Sequence, residues 1–539
     1  MRVLQRAAAV PILAAIAYLG AACERAEMPT GARPPAAALL LSNDPTTRWV
    51  NDDDPNGGGY APPGTSCNNP GYPTVQMAVD APAAPGDRIN VCPGTYVEQV
   101  TIPAGKDNIQ LRSTRRWEAV IKAPAAMVPP QAIVRVNGAQ DVTILAFTIT
   151  GPSNTLDYGV RVDGGGSADI LGNHITQIRD DPLSGDQSGV AVQVGREAEL
   201  TTGSARIMGN VIDNYQKNGP TVDNAGSYAE IVNNRVLGIG PTAVTAQNGI
   251  QVSRGATADV RHNFVSGNIY MGPIYTASGV LLYSAGTASI DHNTTARSDD
   301  DIYAFLSATD ALTSVTHNRV RASTFDGIVV DLYNNATVRE NHTEQNGGAG
   351  IGLYEGAANN TIEDNQVERN SNNFNSTTCT IIFPVPPLCF GGGILLYDAS
   401  NNIVRYNHIR NNGTLNNLDN TDGIRVNTPS TANTIRGNHL RDNVTHDCHD
   451  ATTPGSNTWA DNRGETSSPP QLCGEDRDDN DEVEAGWDPA YPWYDAFGIA
   501  AAEYDFAAAY AMIDTESLLQ LLPQIRLAGI RRATPSPNQ

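Results

Sequence analysis

The sequence predicts an all-β chain, a right-handed parallel β-helix solenoid of about a dozen coils with a helical C-terminal extension. Three observations carry that prediction. An asparagine recurs at Asn173, Asn210, Asn234, Asn263, Asn293, Asn318, Asn341, Asn365, Asn407, Asn438 and Asn462, mostly 23–31 residues apart, which is the length of one coil in such arrays. Three residues before each asparagine stands an apolar residue, from Ile170 and Ile207 through Ile435 to Trp459. Two residues after it, Ile175, Ile212, Val236, Val265, Val320, Val367, Ile409 and Leu440 are apolar again. Short β-branched stretches broken by polar turns make strands rather than helices. A glycine followed by an aliphatic residue, at positions 159, 189, 249, 279, 327, 350, 393 and 423, opens another strand of each coil.

Each mark has a physical reason. Asparagine tolerates the left-handed backbone of a tight turn, and its amide can bond the asparagine one coil along. The ladder is therefore structural. Valine, isoleucine and leucine stacked from coil to coil fill the interior of a hollow prism. Such a solenoid lengthens without enlarging a single core, so 539 residues need not mean several globular domains. The two longer asparagine gaps, before Asn210 and before Asn407, predict loops that leave the stack.

The chain divides into four stretches. Residues 1–23 have the form of an export signal: Arg2 and Arg6, an apolar run from Ala7 to Leu19, then small residues leading to Cys23. That run is short for a membrane span of roughly 20 residues. Cys23 after small residues resembles a bacterial lipobox, with Gly20 where that pattern prefers leucine. Two outcomes stay open: lipidation of Cys23, which tethers the protein to a membrane surface, or ordinary cleavage, which releases it. Both place the chain outside the cytoplasm, at the cell surface, in the periplasm or secreted. Residues 24–64, rich in Pro, Ala and Gly, form a tether and irregular lead-in. Residues 65–474 form the solenoid, capped in front by a short helix over Pro73–Ala81. Residues 475–539 give an acidic linker and then one or two helices over Ala496–Leu527.

Without Cys23, six cysteines remain. A solenoid brings only near neighbours together, which favours Cys67 with Cys92, Cys379 with Cys389 and Cys448 with Cys473 among fifteen connectivities. The net charge of −23, with Lys106, Lys122 and Lys217 the only lysines, argues against nucleic acid or an anionic membrane as the partner. Membrane association would run through the lipid anchor alone, and the chain is expected to be a monomer.

These residues resemble the pectate-lyase-like superfamily, specifically its secreted proteins with parallel β-helix repeats. The likeness covers roughly residues 65–474. It includes an opening made of the Pro73–Ala81 segment, Gly86-Asp87 and Pro93-Gly94-Thr95-Tyr96. Many members bind or cleave polysaccharides, which makes a polysaccharide the expected partner and a lyase or glycoside hydrolase the expected kind of enzyme. The resemblance is specific for fold and weak for function. Asn420-Thr421-Asp422-Gly423 looks like a polygalacturonase motif. The Asp-Asp, Gly-His-Gly and Arg-x-Lys elements of that family do not follow it, and Asp422 is read as a coincidence of the repeat.

Stacking turns one position per coil into a row with neighbours about 4.8 Å apart. Four residues after the repeat glycine, such a row holds Ser253, Tyr283, Asp331, Tyr354, Tyr397 and Asn427, and aligning the intervening coil on Asp301 adds Phe305. Exposed aromatics in a row are unusual, and sugar rings stack on aromatic faces. Tyr283, Phe305, Tyr354 and Tyr397 are thus the substrate-binding candidates. Asp300, Asp326 and Asp331 are the candidate acid and base. The other reading of this row is core, covered by a loop or by the C-terminal helices. A second row, just before the ladder asparagine, holds His262, His292, His317, Glu340 and Asp364. Its histidines are of metal-ligand type, although a straight ladder does not converge by itself, and the turn favours polar residues generally. Calcium is a possible cofactor through the acidic runs Asp52–Asp54 and Glu475–Glu484, where solvated linkers are the plainer account. A structural or adhesive surface protein, and a periplasmic metal-handling protein, are the competing functional classes.

Overall fold

The computed structural model describes residues 46–82, 86–272, 275–371, 391–414 and 421–474. The export signal, Cys23, the Cys379–Cys389 pair, the run Glu475–Glu484 and the expected C-terminal helices lie outside the described residues. No helix among the described residues is long and apolar enough to cross a membrane.

Each coil within the stack contributes one short strand to each of three parallel sheets, and the end coils fewer, so that the sheets hold 15, 13 and 14 strands among the described residues. A representative coil runs Val142–Leu145 in the first sheet, Thr148–Thr150 in the second and Tyr158–Asp163 in the third. The chain then returns to the first sheet at Gly166–Leu171, with Ile170 facing Ile144. The apolar residues that mark the repeat all point inward: Ile170, Ile207, Ile231, Val260, Ile290, Val338, Ile362, Val404 and Ile435 are fully buried. Removal of this stacked apolar surface from water is the main stabilising term.

The asparagine ladder lies in the turn between the first and second sheets. Asn341 shows the pattern. Its Nδ2 donates to Val315 O at 2.8 Å and to Asn365 Oδ1 at 3.0 Å. Its Oδ1 accepts the backbone N–H of Asn318 at 2.9 Å. The residue before each ladder asparagine is left-handed, with φ of 56° at His262, 53° at His292, 53° at His317 and 55° at Glu340. Two further ladders occupy the other turns: Asn346–Asn370–Asn412–Asn443 and Asn360–Asn402–Asn433–Asn457.

The front cap is a helix over Val75–Asp80. Thr74 caps it by accepting the Met77 N–H at 3.2 Å, and Glu98 accepts the Val75 and Gln76 N–H groups at 2.8 and 2.9 Å. Val75, Ala78 and Val79 are buried over the first coil. Two details differ from expectation. The first strand, Thr47–Val50, precedes residue 65 and pairs with Arg88–Val91, held by buried Arg48 on Asp87 at 2.6 Å. Gly189, at φ 79°, belongs to a turn, and Ala191 takes the repeat-glycine position, because Tyr158 faces Val190. The bonds Cys67–Cys92 and Cys448–Cys473 are formed. The gap before Asn210 holds two excursions, residues 177–189 and 195–202, the second with a short 3-10 turn over Glu197–Glu199.

Candidate functional site on the outer face of the third sheet

Strand register builds this face from three outward rows. The expected aromatic row exists without a break: Ser253 faces Tyr283, then Phe305, Asp331, Tyr354, Tyr397 and Asn427 in turn. The four aromatics are half-buried. Tyr283 and Phe305 stack at 5.9 Å with 28° between planes, and Tyr303 leans on Phe305 at 5.6 Å. The middle row runs Leu281, Tyr303, Val329, Gly352, Leu395, Arg425 and His449. The third row stands just before the repeat glycine and runs from Asn248 through Ser278 to Asp300. It continues at Asp326, opposite Ala349, and ends at Gly392 and Asp422.

Three aspartates and two tyrosines form an acid centre on this face. Asp300 is only 4 % exposed and accepts Thr276 Oγ1 at 2.8 Å and the Asp326 N–H at 3.2 Å. Burial, then the nearby Asp326, push its carboxyl well above the usual range. Asp326 is half-buried and accepts the Ala349 N–H at 2.6 Å and the Tyr354 hydroxyl. Burial pushes it up to about 6 despite those two donors. Asp331 accepts the Tyr303 hydroxyl at 2.8 Å, and its other oxygen is buried without a partner. Burial again sets it at about 6, with the Tyr303 bond opposing and Glu355 adding to the rise.

Tyr354 reaches Asp326 by lying across Gly352. A Cβ at Gly352 would stand 2.3 Å from the Tyr354 ring, so the absence of a side chain there sets the tilt of the tyrosine. Its hydroxyl therefore serves the carboxyl, while its ring lies flat on the sheet.

A second centre lies along the same row of the sheet, at Asp422. This fully buried carboxylate meets His446 Nδ1 at 2.9 Å, His449 Nδ1 at 3.0 Å and Arg425 Nη1 at 2.8 Å. Burial raises its pKa, but His449 and Arg425 outweigh that and hold it below the usual range. Arg425 also donates to Asn427 Oδ1 at 2.9 Å, and Asn427 Nδ2 is buried without a partner. Asp422 does occupy the repeat position, as the sequence implies, yet it gathers two histidines and an arginine. His446 and His449 went unrecognised. The available signal was the coil length, since residues 446–449 lie one coil of 24 residues beyond 422–425, as the Arg425–His449 pairing shows.

The histidine row takes a different form from the expected trio. His262 and His292 approach ring to ring at 5.2 Å, and His292 and His317 stack at 4.5 Å. The ligand-type atoms that converge are those of Asp291, His292 and His317, all within 4.8 Å of one another, and His262 stays outside that set. Burial and the neighbouring His292 lower the His262 pKa. The acidic run near the front is occupied by local backbone: Asp52 accepts the Thr95 N–H at 3.0 Å and Asp54 the Gly59 N–H at 2.8 Å.

The three-sheet coil and the polar ladders define a right-handed parallel β-helix protein, consistent with the pectate-lyase-like superfamily that the repeat resembles. Residues 198–383 and 278–462 match the family model for the right handed beta helix region. No curated relative matches the sequence. Similar solved structures include DFA-IIIase from Arthrobacter chlorophenolicus A6 in complex with GF2, at 15 % identity, TM-score 0.43, and coverage of 72 % of this chain and 93 % of that one. The Azotobacter vinelandii mannuronan C-5 epimerase AlgE6 A-module is 16 % identical, TM-score 0.32, covering 74 % and 95 %. XylC in complex with xylose is 11 % identical, TM-score 0.43, covering 67 % and 84 %.

Proposed function

We propose that this chain is an extracytoplasmic β-helix that binds a polysaccharide along the outer face of its third sheet, with Asp326 presented to the sugar as a proton donor. The supporting observation is the row from Tyr283 to Tyr397, four aromatics with Asp331 among them, beside Asp326, both carboxyls set at about 6. Aromatic faces hold sugar rings through dispersion and their apolar faces. A carboxyl near 6 is protonated often enough at neutral pH to donate to a glycosidic oxygen, the environment-tuned role that general acids require.

Binding is better supported than cleavage by a carboxyl pair. Canonical pairs stand roughly 5–9.5 Å apart. Asp422 is three strands from Asp326, roughly 14 Å at sheet spacing, Asp331 is five residues further along, roughly 16 Å at the strand rise, and Asp300, one strand away, is sealed beneath the surface. Export and a lipid anchor at Cys23 are proposed from the N-terminal pattern alone. The test is binding of the mature chain to a glycan array, with Tyr283→Ala and Phe305→Ala as variants. Selective binding lost in both variants supports the proposal. Failure to bind any glycan would favour a rigid surface spacer instead.

A further inference from the structure

Three clusters among the described residues bring ligand-type atoms of histidine and carboxylate within 4.8 Å: Asp291–His292–His317, Asp422–His446–His449 and His342–Glu344–Glu368. Charge separates them. In the second, Arg425 Nη1 already stands 2.8 Å from Asp422 and 3.2 Å from His449 Nδ1, so a cation occupies the place a metal would take. In the third, Arg319 and Arg369 bind Glu344, and Arg369 and Arg410 bind Glu368, which again supplies positive charge from the protein itself. In the first, neither nearby arginine contacts Asp291. Arg261, whose Cα faces Asp291 from the preceding coil, is committed to Glu230. Arg339, on the following coil, is bound to Glu340 at 2.9 Å, with Asp364 and Glu363 within 4 Å.

The geometry of the first cluster is that of a ligand set with its supporting shell. His292 Nδ1 and His317 Nδ1 lie 2.7 and 3.0 Å from the two oxygens of Asp291. The far nitrogen of His317, Nε2, is held by Glu340 at 2.5 Å, and Thr316 Oγ1 donates to Asp291 at 2.7 Å. A carboxylate on the remote ring nitrogen fixes the tautomer and leaves the other nitrogen's lone pair for a metal. Both histidines sit at the left-handed turn position, so the backbone sets adjacent rings one coil apart, stacked at 4.5 Å.

We propose that Asp291, His292 and His317 form a binding site for a single divalent transition-metal ion of the zinc, copper or nickel kind, at the turn between the first and second sheets. Two imidazoles with one carboxylate suit such ions better than calcium or magnesium, which take oxygen ligands. The site is independent of the sugar face. Water completes the coordination, because His292 and His317 are open to solvent on one side.

The experiment is isothermal titration of the tag-free, chelator-treated full chain with Zn2+ at pH 7.5, repeated with Cu2+ and Ni2+. One ion per chain is expected. His292→Asn and His317→Asn should each weaken binding at least about 100-fold, with Glu340→Gln weakening it roughly 10–100-fold through loss of its support for His317. Asparagine already occupies the equivalent left-handed position at Asn233, so these variants keep the turn, and superimposable thermal unfolding verifies that. Binding should weaken as the pH is lowered, because metal ligands bind in their deprotonated form. Absence of binding for all three ions, binding unchanged in His317→Asn, or binding lost in His446→Ala would each overturn the assignment.

Discussion

Replacing Asp326 by asparagine probes the stability that the acid centre gives up to keep a buried carboxyl. Unfolded, this aspartate titrates at its ordinary value of 3.8, and folded it titrates at about 6. Between those values the folded chain binds more protons than the unfolded one, so stability falls as pH rises through about 6 and is regained as pH drops below 3.8. At about 1.36 kcal/mol per pH unit, the ionised carboxyl costs the fold on the order of 3 kcal/mol at pH 8. Asparagine removes that cost while keeping the contacts: its oxygen accepts the Ala349 N–H, and its amide donates to a Tyr354 hydroxyl whose proton rotates away. Asp326→Asn should therefore be more stable than the wild type at pH 8 and indistinguishable from it at pH 4. Urea unfolding at the two pH values reads this directly, and glycan binding of the same variant shows whether the carboxyl matters to the ligand. An equal effect at both pH values, or destabilisation at pH 8, would refute the assignment of a raised pKa to this carboxyl.

Other substitutions test the scaffold that presents the face. Asn341→Ala orphans the Asn318 N–H and Val315 O, each a buried group whose loss of a partner costs about 1–3 kcal/mol, so a marked fall in the urea midpoint is expected, while Asn341→Asp should restore the acceptor role only in part. The Cys67–Cys92 bond spans 25 residues, for which chain entropy assigns roughly 3–4 kcal/mol. The double Cys→Ser variant should lose stability by that order under non-reducing conditions, whereas an unchanged midpoint would show the first coil to be held by the helix cap alone.

The parts of the fold that were legible in the sequence are those that repeat. The ladder asparagines, the inward aliphatics and the aromatic row each reappear once per coil, so periodicity alone assigns their register. The front helix was legible from its amphipathic pattern. The strand Thr47–Val50 was not, because it has no predecessor in the stack, lies in a Pro- and Gly-rich stretch, and is held by contacts distant in sequence: the ladder with Arg88–Val91 and the buried ion pair of Arg48 with Asp87. The two additional asparagine ladders stand five residues after and five before the first, but only in the later coils, and residues such as Ile178, Tyr215, Ala288 and Ala336 hold those positions earlier in the stack. Site chemistry was legible only as rows. The register places Tyr354 beside Asp331, yet its hydroxyl goes to Asp326, because Gly352 leaves room for the ring to lie down. Likewise Asp291, rather than His262, joins His292 and His317, since a carboxylate one residue earlier in the strand can reach two successive turns. Such contacts depend on side-chain direction within the coil, which spacing does not encode.

The central claim is that the outer face of the third sheet holds a polysaccharide, and its most direct test is equilibrium binding to a glycan array by the wild type and Phe305→Ala. Phe305 lies between Tyr283 and Tyr303 at 5.9 and 5.6 Å, so its removal breaks the stacked platform while deleting no hydrogen-bond partner of the three aspartates. Selective binding by the wild type, weakened roughly 2- to 13-fold or more in the variant, is the predicted result, since a stacked aromatic contributes roughly 0.5–1.5 kcal/mol beyond its buried area. Equal binding by the two proteins, or none by either, would contradict the account.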